Sequence, residues 1–380
     1  MDRSYQIAVL PGDGIGREVI SEVRRVVVEA VSIVGNLDIY LHEFECGGEY
    51  YLRTGREWSE EAELFTKTKA DAILLGGIGA KGPEGGTVRR PDGNLAGYSV
   101  VIGLRQELDL YANVRPVKLL EGVPTPLGFK KPGDIDMVIV RENTEGLYIP
   151  ARGRISEPDR EFAFDLRMIT AKGSERIARH AFELAMQRNG APSDGTRRVT
   201  CVDKSNLLAG CQLFRESFDK VGQNYHEVER DYAYVDAWTV LAIRKPEYYD
   251  VVVAPNAFGD IISDLGAAIQ GGLGVAPSGN IGKKHAVFEP VHGSAPDIAG
   301  TGQANPIAGV LSAVMMFEWL SKKHDDPRLE RCAGLIREAV EEVLRKGAVR
   351  TPDLCLGDWA LVEPSTTQQV TSEVIRVMKR

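Results

Sequence analysis

Apolar residues recur along this chain in two registers that alternate. Gln6-Ile7-Ala8-Val9-Leu10 is a short apolar run with strand character, and Val19, Val23, Val26, Val27, Ala30 and Val31 then repeat at helical spacing. Ala72–Leu75, Met137–Val140 and Val251–Ala254 are brief continuous apolar runs of the kind found in strands buried on both faces, and Val199–Val202 reads as a further strand of this kind. Near the C-terminus, Leu329, Cys332, Ile336, Ala339, Val343 and Leu344 mark a helix stopped by Gly347. Alternation of this kind predicts an α/β fold with a largely parallel sheet. No internal repeat or low-complexity linker interrupts it, so a chain of two lobes would cross between them inside structured elements. Strand after strand runs straight into polar residues: Arg141-Glu142-Asn143, Asp203-Lys204-Ser205-Asn206, and Asn256 through Asp260. Open α/β sheets bind ligands at such carboxyl ends.

The first strand ends in PGDGIGREV, residues 11–19, which has the look of a dinucleotide loop. Its glycines, Gly12, Gly14 and Gly16, give G-x-G-x-G rather than G-x-G-x-x-G, and no ribose-binding acid follows at a strand end about 20 residues on. No Gly-Lys-Ser/Thr follows either. The segment reads as a tight strand-to-helix turn that needs positive φ or close backbone approach.

Composition narrows the picture. The 380 residues suffice for two lobes, and 43% hydrophobic with 26% charged residues is ordinary for globular chains. A net charge of −8 argues against nucleic-acid binding, so small anions would need local arginines. Apolar stretches such as Ala308–Phe317 are too short to span a membrane. The start MDRSY lacks a signal-peptide pattern, and the five scattered cysteines, with no CxxC pair, read as reduced thiols. The expected location is cytoplasmic.

Four segments carry candidate chemistry. In PNAFGDIISDLGAAIQGG, residues 255–272, Asn256 is placed to cap a helix that puts Asp260 and Asp264 on one face, roughly 5–6 Å apart. Such a pair alone is often a solvated acidic face. The absence of Lys or Arg from this helix favours a cation, and oxygen-only ligands favour Mg²⁺ or Mn²⁺. Arg105 and Arg115 bracket a short amphipathic stretch, and Arg141 follows a buried strand; together they could grip a di- or tricarboxylate, although each alone is more often a surface or ion-paired arginine. Lys204, after the strand VTCV, could act as a base or simply pair with Asp203 or another carboxylate. Tyr148, in RENTEGLY, could donate a proton or serve as packing. The loop FEPVHGSAPDIAGTGQANP, residues 288–306, is rich in small residues and would let a flat ligand approach the backbone; His292 within it is weak evidence by itself.

Together PGDGIG, RENTEGLY, NAFGDIISD, EPVHGSAPDIAG and ANPIA resemble the metal-dependent β-decarboxylating dehydrogenase family, nearly end to end. This family includes isocitrate, homoisocitrate, 3-isopropylmalate and tartrate/D-malate dehydrogenases. The resemblance implies an isopropylmalate dehydrogenase-like two-domain α/β fold with a large mixed, mostly parallel sheet, not a Rossmann fold. It implies a cofactor-side domain at 1–110 and 271–380, and a substrate, metal and dimerisation domain at 111–270. It implies NAD against Glu289, His292, Gly293, Ser294, Ala295, Asp297, Ile298 and Asn305, with Asn206 near the nicotinamide; PGDGIG only borders the cleft. Arg105, Arg115 and Arg141 match the arginines that bind malate carboxylates. Tyr148 matches the proton donor and Lys204 the base, while Asp236, Asp260 and Asp264 match the carboxylates for Mg²⁺ or Mn²⁺. Lys204 and Asp236 would reach the site from a partner subunit, which implies a homodimer with shared active sites.

Asp297-Ile298 suggests NAD over NADP, because a carboxylate accepts from a ribose hydroxyl and repels a 2′-phosphate. Before Arg105 the chain reads Tyr98-Ser99-Val100-Val101-Ile102-Gly103-Leu104. Val101 stands where isocitrate enzymes have Asn, and Ile102 where homoisocitrate enzymes have Arg. The Val101/Ile102 pair resembles the apolar pair of isopropylmalate enzymes, so 3-isopropylmalate is the leading expectation, in leucine biosynthesis. Tyr98, CGGEYY and PGDIDM resemble the D-malate/tartrate branch. A non-catalytic regulatory subunit is the alternative outside enzymology, but Tyr148, Lys204 and all three aspartates are retained.

Overall fold

The computed structural model describes residues 3–82 and 84–380. Met1, Asp2 and Pro83 lie outside the described residues, and with them the first two positions of MDRSY. In chain order the strands are β1 (Ser4–Leu10), β2 (Asp38–Glu43), β3 (Ala72–Leu75), β4 (Ala112–Lys118), β5 (Asp136–Glu142), β6 (Arg152–Glu157), β7 (Arg160–Asp165), β8 (Arg198–Asp203), β9 (Glu229–Tyr234), β10 (Val251–Ala254), β11 (Pro277–Ile281) and β12 (Ala286–Pro290). The helices are α1 (Ile15–Val34), α2 (Gly48–Thr54), α3 (Glu60–Thr68), α4 (Leu104–Glu107), α5 (Ala171–Gln187), α6 (Ala209–Gly222), α7 (Val235–Arg244), α8 (Asn256–Gln270), α9 (Ile307–His324), α10 (Pro327–Lys346) and α11 (Thr367–Met378).

The chain divides into two compact units. The first comprises Met1–Asp109, Leu120–Pro126 and Gln270–Arg380. Its strands run in the order β2-β1-β3-β12-β11, parallel except for β11 against β12. Ile7 through Leu10 and Ala72 through Leu75 are buried, as continuous apolar strands covered on both faces must be. Helix α1 turns Val19, Val23, Val26, Val27 and Ala30 inward, the helical repeat read from the sequence. Helix α10 does the same with Leu329, Cys332, Ile336, Ala339, Val343 and Leu344, and ends at Gly347 in the left-handed conformation.

The second unit comprises Leu110–Leu119 and Leu127–Ile269. Its order is β4-β5-β10-β8-β9, with β4 antiparallel to β5 and the rest parallel. Strands β6 and β7 form a separate antiparallel hairpin whose residues are almost all exposed. The segment Leu120–Pro126 returns to the first unit, an excursion that the hydrophobic pattern does not signal.

The end of α10 rests on a buried cation. Arg350, 1% exposed, donates to the carbonyls of Leu344, Gly347, Gly122 and Leu354, and its guanidinium stacks 3.8 Å over the Trp359 ring. Leu344, Gly347 and Leu354 carry carbonyls that the terminating helix and the turns after it leave unbonded, and Gly122 adds one from the Leu120–Pro126 segment. Arg350→Met would keep the volume and leave buried acceptors without donors. We expect it to lower unfolding free energy by about 3 kcal/mol in urea denaturation; a change under about 1 kcal/mol would show that water replaces the guanidinium.

Candidate active site

Helix α8 lies close against β4 and β5 because two of its inner positions are glycine. A Cβ at Gly259 would sit 2.7 Å from the Arg141 Cβ, and one at Gly266 would sit 2.7 Å from Val117 Cγ2. That approach brings the Asp260 and Asp264 face of α8 against arginines from the two strands. Arg141, 3% exposed, donates through Nη1 to Asp260 and through Nε and Nη2 to Asn256 Oδ1 at 2.9 and 2.8 Å. Arg115 Nη1 donates to Asp264 Oδ1 and to Ser263 Oγ, both at 2.8 Å; its Nε donates to Asn113 Oδ1. Its Nη2 lies 3.6 Å from Asp260.

Two expectations are corrected here. The aspartates do have cationic partners, supplied by β4 and β5 rather than by their own helix. Asn256 is the first residue of α8, and its side-chain oxygen is given to Arg141 while its Nδ2 holds the Glu145 carbonyl at 2.7 Å.

Tyr148 joins the same cluster. Its hydroxyl donates to Asp260 Oδ2 at 3.1 Å, and the Arg141 guanidinium lies 5.6 Å from its ring centre. Partial burial and the Asp260 charge push the phenol above its ordinary value, so it keeps its proton. The cluster thus combines two buried cations, two partly exposed carboxylates and one protonated acid.

Lys204 and Asp236 form a different pair in the same unit. Lys204, just past β8, places Nζ 2.5 Å from Oδ1 of Asp236 in the first turn of α7, and this contact holds the carboxyl below the usual range. Asp203, fully buried, is not the partner; it takes a bidentate pair from Arg215 at 2.9 Å and accepts the Ser205 amide, which fixes the turn that carries Lys204. Asn206 stands exposed on that turn. Among the described residues of one chain, no three His, Cys, Asp or Glu side chains gather as a metal site, so Asp236 does not join Asp260 and Asp264 within a single copy. The two carboxylates of α8 are a hard, all-oxygen donor set that fits Mg²⁺ or Mn²⁺ only if further oxygen ligands are added.

The first unit carries the remaining candidates. The PGDGIG turn is occupied by the protein's own acceptors. The Gly14 amide donates to Glu49 Oε1 at 3.0 Å and the Ile15 amide to the Ser294 carbonyl at 2.8 Å. Asp13, fully buried, accepts amides of Gly48, Glu49 and Gly79 at 2.8 Å each. A cradle for phosphate needs free amides, and these are bonded.

The loop after β12 differs. Burial lowers the His292 pKa, so its imidazole is neutral; Nδ1 lies 3.0 Å from the Gly293 carbonyl, and buried Nε2 has no partner among the described residues. A Cβ at Gly293 would meet nothing within 4 Å, which leaves room beside the ring. Ser294 Oγ donates to the Gly79 carbonyl, Ala295 takes a φ of 35°, and Asn305 is held by Asp353 at 2.9 Å. An orphaned polar nitrogen next to open backbone suits a flat heterocycle. Asp297 and Ile298 are exposed, and Asp297 pairs with Lys81 at 2.5 Å, a partner the sequence did not indicate.

Arg105 donates to Glu289 Oε1 at 2.9 Å, joining a substrate candidate to a cofactor candidate. Val101 and Ile102 are half-buried in a π-turn, Ser99–Gly103, that leads into α4. The offsets of an α-helix, which would align both side chains with Arg105, do not carry over unchanged through its i→i+5 bonding.

Comparison with known proteins agrees with this architecture. The isocitrate/isopropylmalate dehydrogenase family model matches residues 6–374. A 3-isopropylmalate/3-methylmalate dehydrogenase of Methanocaldococcus jannaschii is 42% identical over 92% of this chain and 94% of its own length. A decarboxylating D-malate dehydrogenase of Escherichia coli is 38% identical over the full length of both. The crystal structure of isocitrate dehydrogenase from Methylococcus capsulatus superposes with a TM-score of 0.83, covering 99% of this chain and 100% of that one at 32% identity. With arginines, carboxylates and a tyrosine gathered on one unit and the match running almost end to end, the chain belongs to the isocitrate/isopropylmalate dehydrogenase family of decarboxylating hydroxy-acid dehydrogenases.

Proposed function

We propose that the protein catalyses NAD-dependent oxidative decarboxylation of a 3-substituted malate, with 3-isopropylmalate as substrate and 2-oxo-4-methylpentanoate and CO₂ as products. The observation that carries the reading is the cluster of Arg115, Arg141, Tyr148, Asp260 and Asp264, which offers anion-binding cations, a cation-binding carboxylate pair and a retained proton side by side. The arginines, with Arg105, hold the malate carboxylates. Lys204 takes the C2 hydroxyl proton as that carbon is oxidised to the 2-oxo level. The C3–carboxylate bond then breaks, CO₂ leaves, and the electron pair remains as an enolate. Tyr148 returns a proton to C3. Asp260, Asp264 and Asp236 would hold Mg²⁺ or Mn²⁺, which would supply positive charge for the oxygen that becomes anionic, and NAD when bound would supply the hydride acceptor for C2. His292, Gly293, Ser294, Ala295, Asn305 and Glu289 would hold the adenosine side of NAD. Asp297 favours NAD over NADP by repelling a phosphate, with Lys81 softening that repulsion.

A homodimer completes this site. Lys204 and Asp236 lie together, apart from the metal pair of the same copy. The second unit also leaves large apolar side chains in solvent: Leu207 is 72% exposed, Ile261 63% and Val240 53%, with Phe162, Phe164 and Leu166 exposed at the hairpin. Large apolar side chains left in solvent on several elements of one unit fit a face that a second copy covers.

The substrate is tested by competition among D-malate, tartrate, isocitrate and 3-isopropylmalate. Val101 and Ile102 would bury the isopropyl group, at about 0.8 kcal/mol per CH₂-sized unit. We expect kcat/KM for 3-isopropylmalate to exceed that for D-malate about 10- to 100-fold, and Ile102→Arg to erase the advantage. The full-length match to a D-malate dehydrogenase favours the second reading, a D-malate/tartrate enzyme. Preference for D-malate or tartrate in the wild type would select it.

A further inference from the structure

The turn that precedes Arg105 is held by a carboxylate from elsewhere in the first unit. Glu57, just before α3, is 6% exposed. Its Oε1 accepts the amides of Gly97 at 2.6 Å and Tyr98 at 3.0 Å; its Oε2 accepts the Ser99 amide at 3.0 Å and Arg90 Nη1 at 3.1 Å. Three successive backbone amides thus converge on one charged group, in charge-assisted bonds stronger than neutral ones. Gly97 makes the entry possible: its φ is 100°, and a Cβ there would lie 2.3 Å from Ile78 Cγ2. Arg90 belongs to the segment at 84–97, within which Arg89 bridges Leu95. One buried carboxylate therefore fixes both that segment and the first residues of the π-turn.

A π-turn is rare and occurs mostly as a single turn set inside an α-helix, frequently at functional sites. Here the Leu104 amide bonds the Ser99 carbonyl, and Ser99 is itself tied to Glu57. Released from that tie, the turn would relax toward α-helical bonding. A shift of one residue in a helix rotates side chains by about 100° around its axis. Val101 and Ile102 would then face a different direction relative to Arg105.

We propose that Glu57 is the positioning residue of the specificity turn: by clamping Gly97, Tyr98 and Ser99 it sets which way Val101 and Ile102 face, and so which C3 substituent the enzyme accepts. This rests on the reading that Val101 and Ile102 meet the C3 group. Glu57 touches no reacting atom, so its effect falls on discrimination rather than on the chemical step.

The test is the ratio of kcat/KM for 3-isopropylmalate to that for D-malate, in wild type, Glu57→Gln and Ile102→Ala, with KM for NAD measured alongside. Glu57→Gln is expected to move the ratio about tenfold toward unity while KM for NAD changes less than about twofold. Glu57→Asp keeps the charge on a shorter arm and is expected to move the ratio less, in the same direction; it serves if the glutamine variant fails to fold. If Ile102→Ala moves the ratio and both Glu57 variants leave it at the wild-type value, even with a lower Tm, Glu57 is only a structural tie and the proposal is overturned. If Ile102→Ala also leaves the ratio unchanged, the turn does not read the C3 group, and the underlying reading falls with it.

Discussion

Mixing and reassembling two inactive variants, Lys204→Ala and Asp260→Asn, is expected to restore activity at about a quarter of the sites. Half of randomly exchanged dimers are mixed, and each mixed dimer has one intact site and one doubly altered site under two-fold symmetry. Alone, Lys204→Ala should lose about 10²–10⁴ in kcat, the usual contribution of a positioned base, and Asp260→Asn should lose activity by removing a carboxylate of the metal pair. The physical ground is the separation of two clusters. Lys204 is bound to Asp236, whereas Asp260 is bound to Arg141 and Tyr148. No recovery in mixtures with demonstrated heterodimers would mean that each chain builds its own site.

Exhaustive chelation with EDTA is expected to bring turnover to background, and Mg²⁺ or Mn²⁺ to restore it. The arginine contacts add a quantitative feature. A cation that takes Asp260 and Asp264 must compete with Arg141 and Arg115, which now pair with them. A guanidinium released from an aspartate becomes available to a substrate carboxylate. Metal and substrate should therefore bind synergistically, with D-malate tightening Mn²⁺ binding about tenfold in calorimetry, and Mn²⁺ tightening D-malate binding by the same factor. Full turnover after chelation would reject the metal requirement. Independent binding of the two ligands would show that the arginine pairs persist in the complex.

The parts of the fold legible in the sequence share a physical cause. The buried parts of β1, β3, β5 and β10 (Ile7–Leu10, Ala72–Leu75, Met137–Val140 and Val251–Ala254) are covered on both faces and are written as uninterrupted apolar runs, and β8 carries VTCV, broken only by Thr200. Strands β9, ERDYAY, and β6 and β7 are exposed and mostly polar, and their composition does not separate them from loops. The acidic face of α8 was visible from a four-residue spacing. Its arginine partners were not, since Arg115 lies 149 positions from Asp264 and meets it only because Gly259 and Gly266 let the helix close on the sheet. Glu57 gave no signal at all. It sits in GREWS, without periodicity, and its importance lies in backbone amides 40 to 42 positions away.

The hairpin of β6 and β7 bears on how the protein behaves on dilution. Two strands alone are marginal in water, and this pair presents nearly every side chain to solvent in the single chain. A second copy laid over it would supply the missing burial, so the order of this arm would follow mass action while the two cores would not. Cleavage by an arginine-specific protease at Arg160, in the arm's tip, then becomes a gauge of assembly: slow in concentrated enzyme, fast once the copies part, and faster well before either core unfolds.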